Sequence, residues 1–284
     1  MPRGKKRFSL VSLAFLFFII FSLYSARAEE QEKKITAVAA DMVLIPAGEF
    51  TMGSNESEAK DAFELCKKYY GSCQWDWFKI EMPKHKVVLD AYSIDKYEVT
   101  NAQYKACVNS GKCTKPSDTK WYDDAGKANH PVVAVDWNQS SAYCKWAGKR
   151  LPTEAEWEKA SRGVSGNIWP WGNKFDCKKS CNSVPPCKQN STCAAGSFSS
   201  DVSSSGVYDM GGNVWEWVAD WYDGGYYKNS PDKNPKGPGN GAYRVLRGGS
   251  WYDTVTLPVN LRGAYRINGD PAGRFVSLGF RCAQ

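Results

Sequence analysis

A chain of 284 residues with 37 Lys and Arg against 30 Asp and Glu carries a formal charge of +7. Five of those bases and none of the acids fall within residues 1–28, which leaves 32 bases against 30 acids in the remainder, with no long basic run. That balance excludes a nucleic-acid binder, which needs a dense cationic face. Two His exclude a three-His metal centre and leave a two-His-one-carboxylate iron site cramped.

Arg3, Lys5, Lys6 and Arg7 precede an uncharged stretch from Phe8 to Tyr24, and Ala26-Arg27-Ala28 then puts small residues at the two positions a signal peptidase reads. This predicts a signal peptide over residues 1–28 and export to the periplasm or the extracellular space. The apolar run exceeds the usual ~7–15 residues of a signal but falls slightly short of the ~20 of a comfortable span. An uncleaved anchor is therefore the competing reading. Residues 29–40 (EEQEKKITAVAA) read as a short polar leader, and residues 41–284 as one domain. No other segment is apolar enough to span a bilayer.

Met42 to Phe50 predicts a strand, a turn and a second short strand. Residues 54–84 are polar and charged and read as an excursion held by Cys66 and Cys73. Lys86 to Val99 alternates, through Val88, Ala91, Tyr92 and Ile94, as one or two strands. Thr100 with Gln103 forms a capping box for a helix from Asn101 to about Asn109, ended at Gly111. Pro131 to Val135 reads as a short buried strand. Asp136 or Asn138 caps a second helix that carries Ala142, Tyr143, Trp146 and Ala147 and stops at Gly148. Thr153 with Glu156 caps a third, Glu154 to Ser161, with Trp157 and Ala160 inward. Residues 163–284 carry no convincing helix, only short strands such as Tyr243 to Leu246, and residues 196–206 are a Ser-rich loop. Twelve Trp, fifteen Tyr and 25 Gly, with few periodic helices, predict a loop-rich α+β domain with an aromatic core.

Ten Cys, an even number in a chain read as exported, predict disulfides. Cys66 with Cys73 and Cys107 with Cys113 lie close in sequence, as do Cys177, Cys181, Cys187 and Cys193. The C-x3-C-x5-C-x5-C run lacks the tight C-x2-C knuckles of a zinc site, so bridges are the stronger reading there, with the pairing left open. Cys144 and Cys282 are the long-range candidates.

Five segments in order resemble the formylglycine-generating-enzyme, or sulfatase-modifying-factor, family. They are MVLIPAGEFTMGS (42–54), YSIDKYEVTNAQYKAC (92–107), HPVVAVDWNQSSAYCKWAGKRLPTEAEWEKASRG (130–163), WPWGN with GVYDMGGNVWEWVADWY (169–173 and 206–222), and RVLRGGSW followed by LGFRCA (244–251 and 278–283). The resemblance implies a variant of the C-type lectin-like fold. It also implies a bridge between Cys144 and Cys282, which in the entropy model constrains the unfolded chain by roughly 5 kcal/mol. In oxidase members of the family, copper and oxygen convert a substrate Cys to formylglycine, and two Cys just after RGGSW carry the chemistry. Here those positions fall at Asp253 and at about Pro258. Soft thiolates suit copper(I), whereas a carboxylate is hard and Pro has no ligating side chain, so copper is not expected. Arg247, Ser250, Trp251 and Asp253 are the pocket candidates, with Ser250 also readable as a turn residue.

The family's calcium loop matches Asp209, Gly212, Val214 and Glu216, two carboxylates and two backbone carbonyls of the hard-oxygen type calcium takes. A second family calcium site would include Asn182 and Ser183. The expected function is an exported domain without copper oxidase activity that binds a protein, peptide or glycan. A divergent oxidoreductase acting on a secreted protein or a peptide-like metabolite is the alternative. A structural subunit of a cell-surface assembly is the third reading.

Overall fold

The computed structural model describes residues 42–252 and 258–284; the predicted signal and leader, and Asp253, lie outside the described residues. Strand β1 (Met42–Ile45) pairs antiparallel with β4 (Tyr92–Asp95), and β2 (Gly48–Met52) with β3 (His85–Leu89). A four-stranded sheet has the order β7-β6-β5-β8. It is made of β5 (Trp215–Trp221), β6 (Arg244–Arg247), β7 (Arg266–Gly269) and β8 (Leu278–Phe280), with the β5–β8 pair parallel. Among the described residues, no helix is long and apolar enough to cross a membrane.

Between the strands, four of the five α-helices among the described residues begin where a side chain replaces a missing backbone partner. Asn55 caps α1 (Glu56–Tyr69), with α2 (Asp76–Lys79) after it. Thr100 caps α3 (Asn101–Asn109), Asp136 caps α4 (Trp137–Trp146) and Thr153 caps α5 (Glu154–Arg162). In the last, Thr153 Oγ1 accepts from the Glu156 N–H at 3.2 Å while Glu156 accepts from the Thr153 N–H at 2.8 Å.

Two sequence expectations are corrected here. The excursion at 54–84 contains a fourteen-residue helix. Its buried stripe is only Ala59, Ala62 and Cys66, so its composition is that of a polar loop. Pro131 to Val135 is buried but is no strand. Its backbone bonds go to separate segments: the Val132 N–H to the Val99 carbonyl, the Ala134 N–H to the Phe275 carbonyl, and the Val135 carbonyl to the Trp217 indole. Strand β5, which the sequence reading passed over, is the centre of the largest sheet.

All ten Cys are bridged. The pairs are Cys66–Cys73, Cys107–Cys113, Cys144–Cys282, Cys177–Cys187 and Cys181–Cys193. The main core packs Ile45, Phe50, Val87 and Ile94 from the small sheets against Trp157, Val218 and Val245. Beside it lies Asp220, 3% exposed, whose Oδ2 accepts from the Glu154 N–H at 2.8 Å and so helps to start α5.

Burial, and then the nearby Glu154 carboxylate, push the Asp220 carboxyl up to about 8. A folded value above the unfolded one means the contribution to stability is full at low pH and is lost as pH rises through about 8. Asp220→Asn keeps an acceptor for the Glu154 N–H and removes this titration. Denaturant unfolding of both proteins from pH 4 to 9 should show the variant gaining on the wild type as pH rises. A pH-independent difference would refute the assignment.

Candidate functional site

Strand β6 leads into Gly248 and Gly249, at φ 97° and 74°. A Cβ on Gly249 would stand 2.8 Å from Leu261 Cδ2 and 2.9 Å from the Asn260 carbonyl oxygen, so the turn needs Gly on both grounds. Ser250 is buried by this turn. Its hydroxyl donates to the Tyr252 carbonyl at 2.7 Å and accepts from the Tyr252 N–H at 3.2 Å. Trp251 lies edge-on to Trp121, ring centroids 5.3 Å apart, and donates its indole N–H to the Val276 carbonyl at 3.2 Å. Tyr252, 48% exposed, brings the segment to the surface.

There it meets a cleft of about 890 Å³. Buried Trp215 and Tyr265, centroids 6.3 Å apart, form its floor. Half-buried Trp77 and Tyr222 and exposed Tyr252 and Phe275 form its rim. Asn260 from the turn Pro258–Leu261 and Ile267 and Asn268 of β7 also line it. Trp77, Tyr265 and Phe275 were not singled out in the sequence, where their only signal is the abundance of aromatics.

Arg247 does not belong to this cleft, and its assignment as a pocket residue is corrected. It is fully buried and donates to Glu154 at 3.0 Å, to Glu158 at 2.6 Å and to the carbonyls of Gly263 and Ala264 at 2.6 and 3.3 Å. Arg266 grips Glu154 through two bonds of 2.7 and 2.8 Å, and Arg162 pairs with Glu158 at 2.7 Å. The guanidinium turns inward because two buried carboxylates need it there.

A second cluster forms around the predicted calcium loop. Both oxygens of Glu216 are taken: Arg281 donates to each, at 2.7 and 2.8 Å, and the Trp157 indole adds a third bond at 2.9 Å. Asp209 accepts from the Gly196 N–H at 2.6 Å. Glu98 and Asp201 are each 1% exposed. Asp201 meets no hydrogen-bond donor at either oxygen, and the Glu98 carboxyl lies against the Asp209 carboxylate, close enough to share a proton with it. Burial, with the Asp209 charge next, pushes both carboxyls well above the ordinary range. Burial also raises Asp209, against the pull of the Gly196 N–H and Arg281. Gly212, at φ 142°, presses on the Cys181 carbonyl, 2.4 Å from where a Cβ would stand, so the loop holding Asp209, Gly212 and Val214 is docked on the Cys181–Cys193 bridge.

Glu98, Asp201 and Asp209 are thus the side chains here that could hold a cation. Among the described residues no three His, Cys, Asp or Glu side chains alone make a metal-binding group, so backbone carbonyls would have to complete the set. Asn182 braces its own turn, donating to the Cys177 and Ser180 carbonyls and accepting from the Val184 N–H, with Ser183 buried beside it.

Small sheets, few helices, a disulfide frame and an aromatic cleft after RGGSW define a domain of the formylglycine-generating-enzyme variant of the C-type lectin-like fold. The chain belongs to the family described as "Sulfatase-modifying factor enzyme 1-like domain", which matches residues 26–284. It is 34% identical over 292 residues to a formylglycine-generating enzyme of Streptomyces coelicolor, covering 85% of this chain and 88% of that one. It is 33% identical over 287 residues to the serine/threonine-protein kinase pkn1 of Chlamydia pneumoniae, covering 90% of this chain but only 40% of the kinase. Among solved structures, PvdO from Pseudomonas aeruginosa superposes with a TM-score of 0.66 at 29% identity, covering 85% of this chain and 93% of that one.

Arg247→Met tests the buried network. It leaves Glu158 and Glu154 short of a partner and should lower the unfolding free energy by about 3–5 kcal/mol, read from urea unfolding. A loss within experimental error would show that Arg247 is not structural.

Proposed function

We propose that this chain is an exported domain, periplasmic or extracellular, that works by binding a protein, peptide or glycan in the aromatic cleft and does not run copper oxidase chemistry. One observation carries the reading: every Cys is committed to a disulfide, and the positions after RGGSW that hold the oxidase thiols are Asp253 and Pro258. Pro258 is buried and opens the turn Pro258–Leu261, where its carbonyl accepts from the Trp169 indole at 3.3 Å. Copper(I) needs soft ligands that this cleft does not contain. What remains is a pocket at the upper end of the ~300–1,000 Å³ common for ligand sites, lined by aromatics with a few polar groups. Titration of the purified chain with copper(I) should show no tight stoichiometric site. An oxygen electrode should register no consumption with a Cys-containing peptide. Either signal would favour the divergent oxidoreductase instead.

The reading includes a structural calcium ion held by Asp209, Glu98 and Asp201, with the carbonyls of Gly212 and Val214 from the same loop. Its support is the buried Asp201 carboxylate, which meets no donor and packs with Glu98 beside Asp209, since an ion of opposite charge is what such a cluster lacks. A chelator should lower the melting temperature and added calcium restore it. Glu98→Gln and Asp201→Asn should each abolish that response. Equal melting curves with and without chelator would rule the ion out.

A further inference from the structure

Six aromatic side chains line the cleft: Trp77, Trp215, Tyr222, Tyr252, Tyr265 and Phe275. Phe275 is 61% exposed and Tyr252 48%, so flat apolar rings stand open to solvent. Two ionised side chains reach the same space and each already has a counter-ion. Asp76 pairs with Lys79 at 2.6 Å, and Arg274 with Asp136 at 2.5 Å. The other polar groups are amides and hydroxyls, among them Gln74, Asn268 and Ser277.

We propose, resting on the binding reading above, that the ligand of this cleft is an uncharged oligosaccharide. A sugar ring presents an apolar C–H face and a rim of hydroxyls that both donate and accept. Aromatic faces cover the first, and amides and hydroxyls, which also donate and accept, match the second. An acidic glycan or a nucleic acid calls for unpaired cations along the groove. A charged peptide would have to desolvate its ions against walls whose own charges are already neutralised. The volume of about 890 Å³ admits a ligand of several rings. Trp77 is contributed by the short helix α2 of the 54–84 excursion. The Cys66–Cys73 bridge joins the end of α1 to the approach of α2, and Tyr70 stacks on Trp77 with centroids 6.4 Å apart and planes 12° from parallel.

The experiment is titration of the full chain by calorimetry and Trp fluorescence with chitohexaose and maltohexaose. A heparin hexasaccharide and an end-blocked uncharged hexapeptide serve as competing classes. Saturable binding of a neutral oligosaccharide is expected, weakened about tenfold by Trp77→Ala and, independently, by Phe275→Ala, the loss of one stacked ring. Phe275 is exposed, so its variant keeps the test valid if Trp77→Ala misfolds; unchanged near-ultraviolet circular dichroism checks both. The proposal is overturned if neither neutral oligosaccharide binds, or if binding ignores both substitutions. It is also overturned if heparin or the peptide binds in preference. Peptide binding lost in Trp77→Ala would reject the glycan while leaving the cleft a binding site.

Discussion

Two carboxylates one helical turn apart on α5 organise this domain. Glu154 and Glu158 are buried, and between them they engage Arg247 from β6, Arg266 from β7 and Arg162 at the end of α5 itself. Buried ions of this kind cost several kcal/mol each when unpaired, so the geometry is tolerated only as a set. The set reaches well beyond the helix. Glu158 accepts from the Gly53 N–H at the end of β2, and Arg162 donates to the Gly53 carbonyl. Arg247 also holds the carbonyls of Gly263 and Ala264, just before Tyr265. The floor of the cleft is thereby fixed to the core of the small sheets through charge, not through a continuous sheet.

The disulfides act where that network does not. Cys144 on α4 is tied to Cys282 beyond β8, a separation of 138 residues, which links the middle of the chain to the edge of the main sheet. The other four close loops of 6 to 12 residues. Such short closures restrict the unfolded chain modestly, but they hold segments with little backbone pairing of their own. The Cys181–Cys193 bridge shows the consequence. The Asn213 N–H bonds to the Cys181 carbonyl and the Asn213 side chain accepts from the Cys193 N–H, so the bridge shapes the loop that carries Asp209.

How much of this the sequence discloses depends on distance along the chain. Two helix starts, at Thr100 and Thr153, were legible because a capping box is a four-residue device. The third was expected but left open between Asp136 and Asn138, and the structure assigns it to Asp136. The helix after Asn55 was missed although Asn55 and Glu58 form the same box, because a stripe of two Ala and one Cys leaves no visible periodicity. Pro131 to Val135 has a strand's composition, yet its backbone is satisfied by three separate neighbours, a tertiary fact that no local pattern carries. Ser250 and Trp251 were singled out from a motif, but both are buried and it is the next residue, Tyr252, that lines the cleft. The Asp209 loop was read from a motif as well. Arg247 was misplaced because its partners lie 93 and 89 residues away. Glu98 and Asp201 went unseen for the same reason: each is an ordinary acid until the fold buries both beside Asp209.

That cluster has an unresolved charge balance. Four carboxyls, Glu98, Asp201, Asp209 and Glu216, influence one another, and Arg281 is the cation that acts on all of them. Arg281 gives its fork to Glu216 and its remaining N–H groups to the carbonyls of Asp95, Lys96 and Tyr208. One guanidinium so engaged neutralises one carboxylate. The other three must take up protons or share a cation, because bare carboxylates are too costly away from water. A proton on Glu98 can be shared with Asp209, but one on Asp201 meets no partner, whereas a hard divalent ion would use the oxygens of all three acids together. The cleft and the acid cluster thus differ in charge: in the first the two ionised side chains are already paired, and in the second three buried carboxyls stand near a guanidinium already committed to the fourth.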